Sequence, residues 1–177
     1  MSTCHSIMRR HDGAITAESI PGKGSTFRLY LPAAREPGQN GGPSRPKALH
    51  KGEGAVLVMD DDKAVQNVLR SMLAALGYSV ETVGDGRAAM RLFAKHSDSG
   101  QRFRAVLLDL TVVGGMGGRE AAQALRVLDG GVPLFVTSGY AEDPVMEDPV
   151  VHGFRASLRK PFTIAELSEL FEKYVAP

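Results

Sequence analysis

Four places in the sequence hold side chains that could act together. Asp60, Asp61 and Asp62 follow the apolar run AVLVM at 55–59. Asp109 lies at the end of a second run, AVLLDL at 105–110. Thr137 and Ser138 end a third, and Lys160 follows a short fourth, just before Pro161. Packed carboxylates repel one another and favour a hard divalent cation held through oxygen, with Mg²⁺ the default. A carboxylate beside such a cation can attack phosphorus and form an acyl phosphate. The cation and an ammonium would stabilise charge on the phosphoryl oxygens, and a hydroxyl could donate to one of them.

Each residue also has a plainer reading. An Asp run after a strand often only caps a helix and complements its dipole. Thr137-Ser138 are ordinary turn formers, and a lysine before proline can be plain surface. Asp109 stands apart, because an unpaired carboxylate in an apolar strand is costly to bury. The joint pattern at matching strand ends is far more specific than any one member.

The elements that must position these residues are legible as alternating patterns. A continuous apolar run such as 55–59 marks a strand buried on both faces. Val65, Val68, Leu69, Met72, Leu73 and Leu76 then form one helical face, and Gly77 sits where a helix C-terminus wants positive φ. Residues 78–83 read as a second strand, 87–94 as a helix, 105–110 as a third strand, 120–128 as a helix and 132–137 as a fourth strand. Pro144 and Pro149 interrupt a partly helical stretch at 141–151. Residues 156–158 form a short fifth strand, and Thr163-Ile164-Ala165-Glu166 is a capping box opening a last helix with Leu167, Leu170, Phe171 and Tyr174 inward. Five strands alternating with helices predict a parallel sheet covered on both faces, with sites at the strand carboxyl ends.

Composition narrows the function classes. The chain has 177 residues, 43% of them hydrophobic, and a net charge of +1, which gives no general case for binding nucleic acid through a basic surface. Its single cysteine, Cys4, excludes an internal disulfide and an all-cysteine metal site. No apolar run approaches a membrane span and no signal core follows the first charges, so a cytoplasmic protein without membrane contact is expected. Charge is uneven: residues 1–54 hold eight Lys/Arg and four Asp/Glu, residues 55–177 thirteen and sixteen. Residues 33–54 contain five Gly, three Pro and no β-branched residue, the composition of a flexible linker. Three parts are expected: 1–32, the linker 33–54, and 55–177.

Residues 55–176 resemble the receiver domain of two-component response regulators. The matching stretches are VLVMDDDKAV, LLDLTVVGGMGG around Asp109, PLFVTSGYAED and LRKPF. The resemblance implies a flavodoxin-like (βα)5 fold with parallel sheet order 2-1-3-4-5. It implies Asp109 as phosphoacceptor, Asp60 and Asp61 as the acidic pair for Mg²⁺, and Thr111 offering a backbone carbonyl to the metal. Ser138, five residues after Pro133, corresponds to the switch hydroxyl, with Thr137 the alternative; Lys160 corresponds to the lysine that pairs with the phosphoryl group. Two positions depart from the pattern. Ser157 stands where many receivers have Tyr or Phe, which puts an aromatic switch in doubt. Val113 stands where similar sequences often have Pro, which should loosen the loop after Asp109.

The GGMGG and SGYAED wording is most similar to receivers at the C-terminal end of hybrid sensor histidine kinases. Residues 11–32, HDGAITAESIPGKGSTFRLYLP, read as two strands joined by a Gly-rich turn at Pro21–Gly24, and resemble the last hairpin of the histidine-kinase ATP-binding domain. Ser2–Arg10 would then be the end of the preceding helix. GKGST lies between strands rather than between a strand and a helix, so a turn is expected rather than a phosphate cradle. The kinase's ATP-binding and phosphohistidine motifs would precede Met1, so no stand-alone kinase activity is expected. The partner implied is a histidine kinase or histidine phosphotransfer protein, with weak self-pairing through the face from the fourth strand to the last helix. Two other classes compete. One is a receiver-fold interaction module that is never phosphorylated. The other is an aspartyl-phosphate phosphohydrolase, which would want DxD[TV] after the first strand and lacks its general acid here. No DNA-binding output is expected, because the chain ends after the last helix.

Overall fold

The computed structural model describes residues 2–33, 48–140 and 142–175. It divides the chain into two units, Met1–Pro46 and Lys47–Pro177. In the first, helix α1 (Ser2–Arg10) precedes strands β1 (Ala14–Ile20) and β2 (Gly24–Tyr30), paired antiparallel from Ala14↔Tyr30 to Ile20↔Gly24. The glycines at 22 and 24 both have positive φ, and the Gly-rich stretch is a strand-to-strand turn.

The second unit alternates β3 (Ala55–Met59), α2 (Lys63–Ala75), β4 (Ser79–Val83), α3 (Gly86–Asp98), β5 (Phe103–Asp109), α4 (Gly118–Leu128), β6 (Leu134–Ser138), α5 (Pro144–Glu147), a 3₁₀ turn (Val150–His152), β7 (Ala156–Arg159) and α6 (Ile164–Tyr174). All five strands are parallel, in the order β4-β3-β5-β6-β7. Counted within this unit, that is the flavodoxin-like order 2-1-3-4-5. The order reverses beside β3, opening a crevice between the ends of β3 and β5.

Strand alternation sorts the core into two layers. Val56, Val58, Ala105, Leu107, Phe135 and Leu158 pack with Leu69, Leu73, Leu167 and Phe171 of α2 and α6. Leu57, Met59, Val106, Leu108, Leu134 and Val136 pack with Ala89 and Phe93 of α3 and Ala122 and Leu125 of α4. Continuing the first rows by two residues arrives at Asp60, Asp109 and Lys160. The same alternation that buries the core therefore brings three charged residues to one end of one face.

Several boundaries differ from the sequence reading. Helix α3 runs to Asp98, beyond residue 94, closed by Lys95 and His96 in its last turn. Tyr78 is buried but precedes β4, because its N–H donates to Leu73 O as part of the α2 terminus. Gly77 ends that helix at φ 96°, and a Cβ there would run into Gly52 O. Val68 is 50% exposed, not part of the buried face. The inward row of α2 is Gln66, Leu69 and Leu73, so the helix is turned to bury a glutamine and leave the valine at its margin.

The linker reading also extends too far. Residues 34–47 of it lie outside the described residues. Beyond them the chain is tied to the second unit. His50 N–H donates to Ser168 Oγ at 2.8 Å, its Nε2 lies 3.1 Å from Tyr78 Oη, and Gly52 N–H donates to Leu76 O at 2.9 Å. Composition alone could not reveal this, since backbone groups carry most of these bonds. The proline-interrupted stretch resolves into α5, capped by Asp143, and the separate 3₁₀ turn. The predicted capping box is present: Glu166 N–H donates to Thr163 Oγ1 and Thr163 N–H to Glu166 Oε2.

Candidate functional site

The Asp60–Asp62 run divides its labour. Asp62 is the N-cap of α2, its Oδ1 accepting Ala64 N–H at 2.7 Å. Asp60 is buried, at 1% exposure, just past the end of β3. Its Oδ1 accepts Asp62 N–H at 2.9 Å. Asp61 is exposed, and its Oδ2 accepts the N–H of Val113 at 3.1 Å. Asp109 ends β5 at 7% exposure. One carboxylate oxygen from each of Asp60, Asp61 and Asp109 lies within 4.8 Å of the others.

Lys160, the residue after β7, reaches between two of these acids. Its Nζ donates to Asp60 Oδ2 at 2.6 Å and to Asp109 Oδ1 at 2.8 Å. Its own N–H donates to Ser138 O at 2.8 Å, which fixes its backbone beside β6. Burial pulls the ammonium's pKa down, but the hydrogen bonds and charges of Asp109 and Asp60 outweigh it and the net direction is up. Burial pushes Asp109 up; Lys160 opposes this, and Asp60 and Asp61 add to it, leaving the carboxyl above its ordinary value. Asp109 is thus an ionisable group held in a crevice against its own desolvation by one lysine.

Thr137 and Ser138 are both buried at the end of β6, and Asp109 is paired with Thr137 in the register. Ser138 Oγ accepts Tyr140 N–H at 3.0 Å; among the described hydrogen bonds it reaches neither Asp109 nor Lys160. Thr111 lies in the exposed loop two residues past Asp109. That loop is anchored by the Val113 N–H, a donor that the proline of similar sequences would lack. Gly118 opens α4 against the site strand, where a Cβ would come 2.5 Å from Asp109 O. Ser157 Oγ donates to Met146 O at 3.0 Å, so this position fastens β7 to α5 with a hydroxyl where many similar sequences carry an aromatic ring.

Sequence reasoning missed Gln66 and the Val113 N–H. Gln66 was detectable only as a polar residue inside an otherwise apolar helical row; the absence of proline at Val113 was visible, but that its N–H meets Asp61 was not.

The chemistry open to this arrangement is that of a hard cation and a nucleophilic carboxylate. Three converging carboxylate oxygens match the ligand preference of Mg²⁺, which takes few protein carboxylates and completes its shell with water and phosphoryl oxygen. An apolar cleft of about 420 Å³, lined by Ala64, Val65, Val68, Pro161 and Phe162, opens beside Lys160.

Comparison with known proteins agrees with this geometry. The family model for the response regulator receiver domain matches residues 56–172. Response regulator MprA of Mycolicibacterium vanbaalenii is 39% identical over 116 residues, covering 63% of this chain and 46% of that protein. Sensor kinase CckA of Brucella abortus is 27% identical over 185 residues, covering 98% of this chain and 19% of that protein. The chain thus spans less than half the length of these curated relatives. Among solved structures, the receiver domain of a Pseudomonas aeruginosa sensor histidine kinase, described as having a magnesium ion coordinated in its active-site cleft, is 28% identical with a TM-score of 0.60, covering 70% of this chain and 98% of that one. With the strand order, the acid triad and the bridging lysine in place, the chain belongs to the response regulator receiver family.

Proposed function

We propose that residues 55–177 form the phosphoacceptor of a two-component phosphorelay, taking a phosphoryl group from a phosphohistidine onto Asp109. The observation that carries this is the Lys160 ammonium bridging Asp109 and Asp60, with Asp61 completing a three-carboxylate cluster. Asp60, Asp61 and Asp109, with the Thr111 carbonyl, would hold Mg²⁺. When bound, that ion neutralises the carboxylates and the phosphoryl oxygens so that the two anions can meet.

An Asp109 carboxylate oxygen attacks phosphorus in line with the donor imidazole. The new O–P bond forms as the N–P bond breaks, and the imidazole leaves with the electron pair. Lys160 then exchanges its bond to the Asp109 carboxylate for one to a phosphoryl oxygen. Ser138 turns its hydroxyl from Tyr140 N–H towards the same group, biasing the β6–β7 face. Because Ser157 carries no ring, output through that face runs through the Ser157–Met146 contact rather than through an aromatic switch.

The donor is a histidine kinase or a histidine phosphotransfer protein. The partly exposed Val68 and the apolar cleft beside Lys160 offer its helices a landing surface next to Asp109. Residues 1–32 are read as the end of a kinase ATP-binding domain, supported by the helix-then-hairpin order and by the alignment of a sensor kinase over 98% of this chain. No helix among the described residues is long and apolar enough to cross a membrane, and a cytoplasmic location fits the lone Cys4.

The test is incubation with Mg²⁺ and acetyl phosphate, read by intact mass beside Asp109→Asn. One added phosphoryl group in the wild type only is expected. Labelling of the variant to the same extent would sink the assignment of Asp109. No adduct, and no protection by beryllofluoride, would favour the non-phosphorylated interaction module.

A further inference from the structure

We propose that Gln66 is a positioning residue for the metal-binding acids: its buried carboxamide fixes the Asp60 peptide and so aims the Asp60 carboxylate. The proposal rests on the reading of Asp60, Asp61 and Asp109 as Mg²⁺ ligands. Gln66 is 2% exposed, in the row of α2 that otherwise buries Leu69 and Leu73. A polar side chain there costs stability unless its hydrogen bonds are made. They are made, and they converge on the site. Nε2 donates to Asp60 O at 2.5 Å and to Val83 O at 3.0 Å, and Oε1 accepts Lys63 Nζ at 3.1 Å.

The position of these bonds matters. The β3–β4 ladder ends at Met59↔Val83, so Asp60 lies one residue beyond its last registered pair. Its N–H still donates to Val83 O at 3.1 Å. Its own carbonyl faces the first turns of α2, where Gln66 supplies the donor. Gln66 therefore bonds both carbonyls that bracket the Asp60 peptide, and helix α2 is sewn to the ends of two strands. With the peptide fixed, the Asp62 N–H meets Asp60 Oδ1 at 2.9 Å, and the second carboxylate oxygen is left facing Lys160 and Asp109. Mg²⁺ demands near-ideal octahedral geometry, so a small rotation of one ligand is felt in affinity. Groups that hold metal ligands in place typically account for about 10–100-fold of metal affinity.

A purely structural Gln66 would lower thermal stability and leave Mg²⁺ binding alone. The test is calorimetric Mg²⁺ titration of the full chain as wild type, Gln66→Met and Leu73→Ala. Gln66→Met keeps the length and removes both donors; Leu73→Ala loosens the same helix without touching the site. Thermal melts in chelator locate a temperature at which all three are folded. The expected result is a Kd for Mg²⁺ raised about tenfold in Gln66→Met and less than twofold in Leu73→Ala. In acetyl phosphate labelling, the half-saturating Mg²⁺ concentration should rise by the same factor while the maximal rate changes less than about twofold. If Gln66→Met does not fold, Gln66→Asn, one methylene too short to reach both carbonyls, carries the same test. A Kd within twofold of wild type in the glutamine variant, or an equal loss in Leu73→Ala, overturns the proposal. A wild type that binds no Mg²⁺ overturns the metal-site reading and this inference with it.

Discussion

The two units of this chain use similar residues to opposite ends. In the receiver unit, the strands β3, β5 and β6 are apolar on both faces, and helices cover both, so Val56 to Val58 and Leu134 to Val136 are wholly buried. In the N-terminal unit, alternation puts Ile15, Ala17, Phe27 and Leu29 on one face of the hairpin, yet Phe27 and Leu29 are each 60% exposed. The other face carries the Arg28–Glu18 ion pair at 2.6 Å. Within the hairpin's own unit, α1 contacts β1 and Ile15 is partly buried, but Phe27 and Leu29 are left open. A strand's pattern states which face wants burial; only a second layer supplies it.

That contrast can be broken or sharpened by experiment. The largest effect should be on chemistry: Asp109→Asn should abolish Mg²⁺-dependent phosphoryl labelling, whereas Glu18→Gln in the hairpin should leave its rate unchanged, both read by intact mass. Next is packing. Phe171→Ala should cost about 3–5 kcal/mol, because the ring is fully buried against Tyr78 and Phe135. Phe27→Ala should shift receiver stability by less than about 0.5 kcal/mol, as exposed substitutions do. Paired urea melts check this, and equal losses would mean that the hairpin is part of the receiver's cooperative unit.

A third prediction concerns pH. Burial, with help from Asp60 and Asp61, holds folded Asp109 above its ordinary 3.8 despite Lys160. The folded state therefore keeps this proton longer than the unfolded chain does, and ionising Asp109 costs stability. That cost is absent below 3.8, grows between 3.8 and the raised folded value, and is fully present above it. The melting temperature of Asp109→Asn relative to wild type should accordingly rise with pH through this window and then level off. A gap that narrows would reverse the sign. Lys160 has the same sign in a higher window: its contribution is full below 10.5 and is lost as pH rises through its raised folded value. The last effect is local and smaller than the core truncation. Thr163→Ala removes the α6 capping box and should cost about 1 kcal/mol in the same melts.

Much of the fold was legible because its signals are local. Continuous apolar runs mark strands buried twice, and Thr163 with Glu166 marks a helix start wherever it occurs. The acids at strand ends were legible for the same reason, since a carboxylate closing an apolar run has few plain explanations. Other features were not. Val68 fits the helical face as well as Leu69 does, and only the packing of α2 against the sheet decided which is buried. Residues 48–54 look like linker because their bonds to Ser168, Leu76 and Tyr78 are made largely by backbone groups that every residue has. The stretch holding Pro144 and Pro149 announced a break, but not that a four-residue helix and a 3₁₀ turn would flank it.

The sequence by itself determined the alternation of elements, the charged residues at strand ends and the family they resemble, because patterning and residue type are properties of neighbours along the chain. Only the tertiary structure decided that Asp60, Asp109 and Lys160 meet on one face, that Asp62 is merely a cap, and that Gln66 grips the Asp60 peptide. The first of these depends on sheet order and strand register, which bring Asp60 and Asp109 to Lys160 from 100 and 51 positions away; the other two depend on how α2 packs against the strand ends. Hydrogen bonds between them form only after the core has fixed where each strand ends.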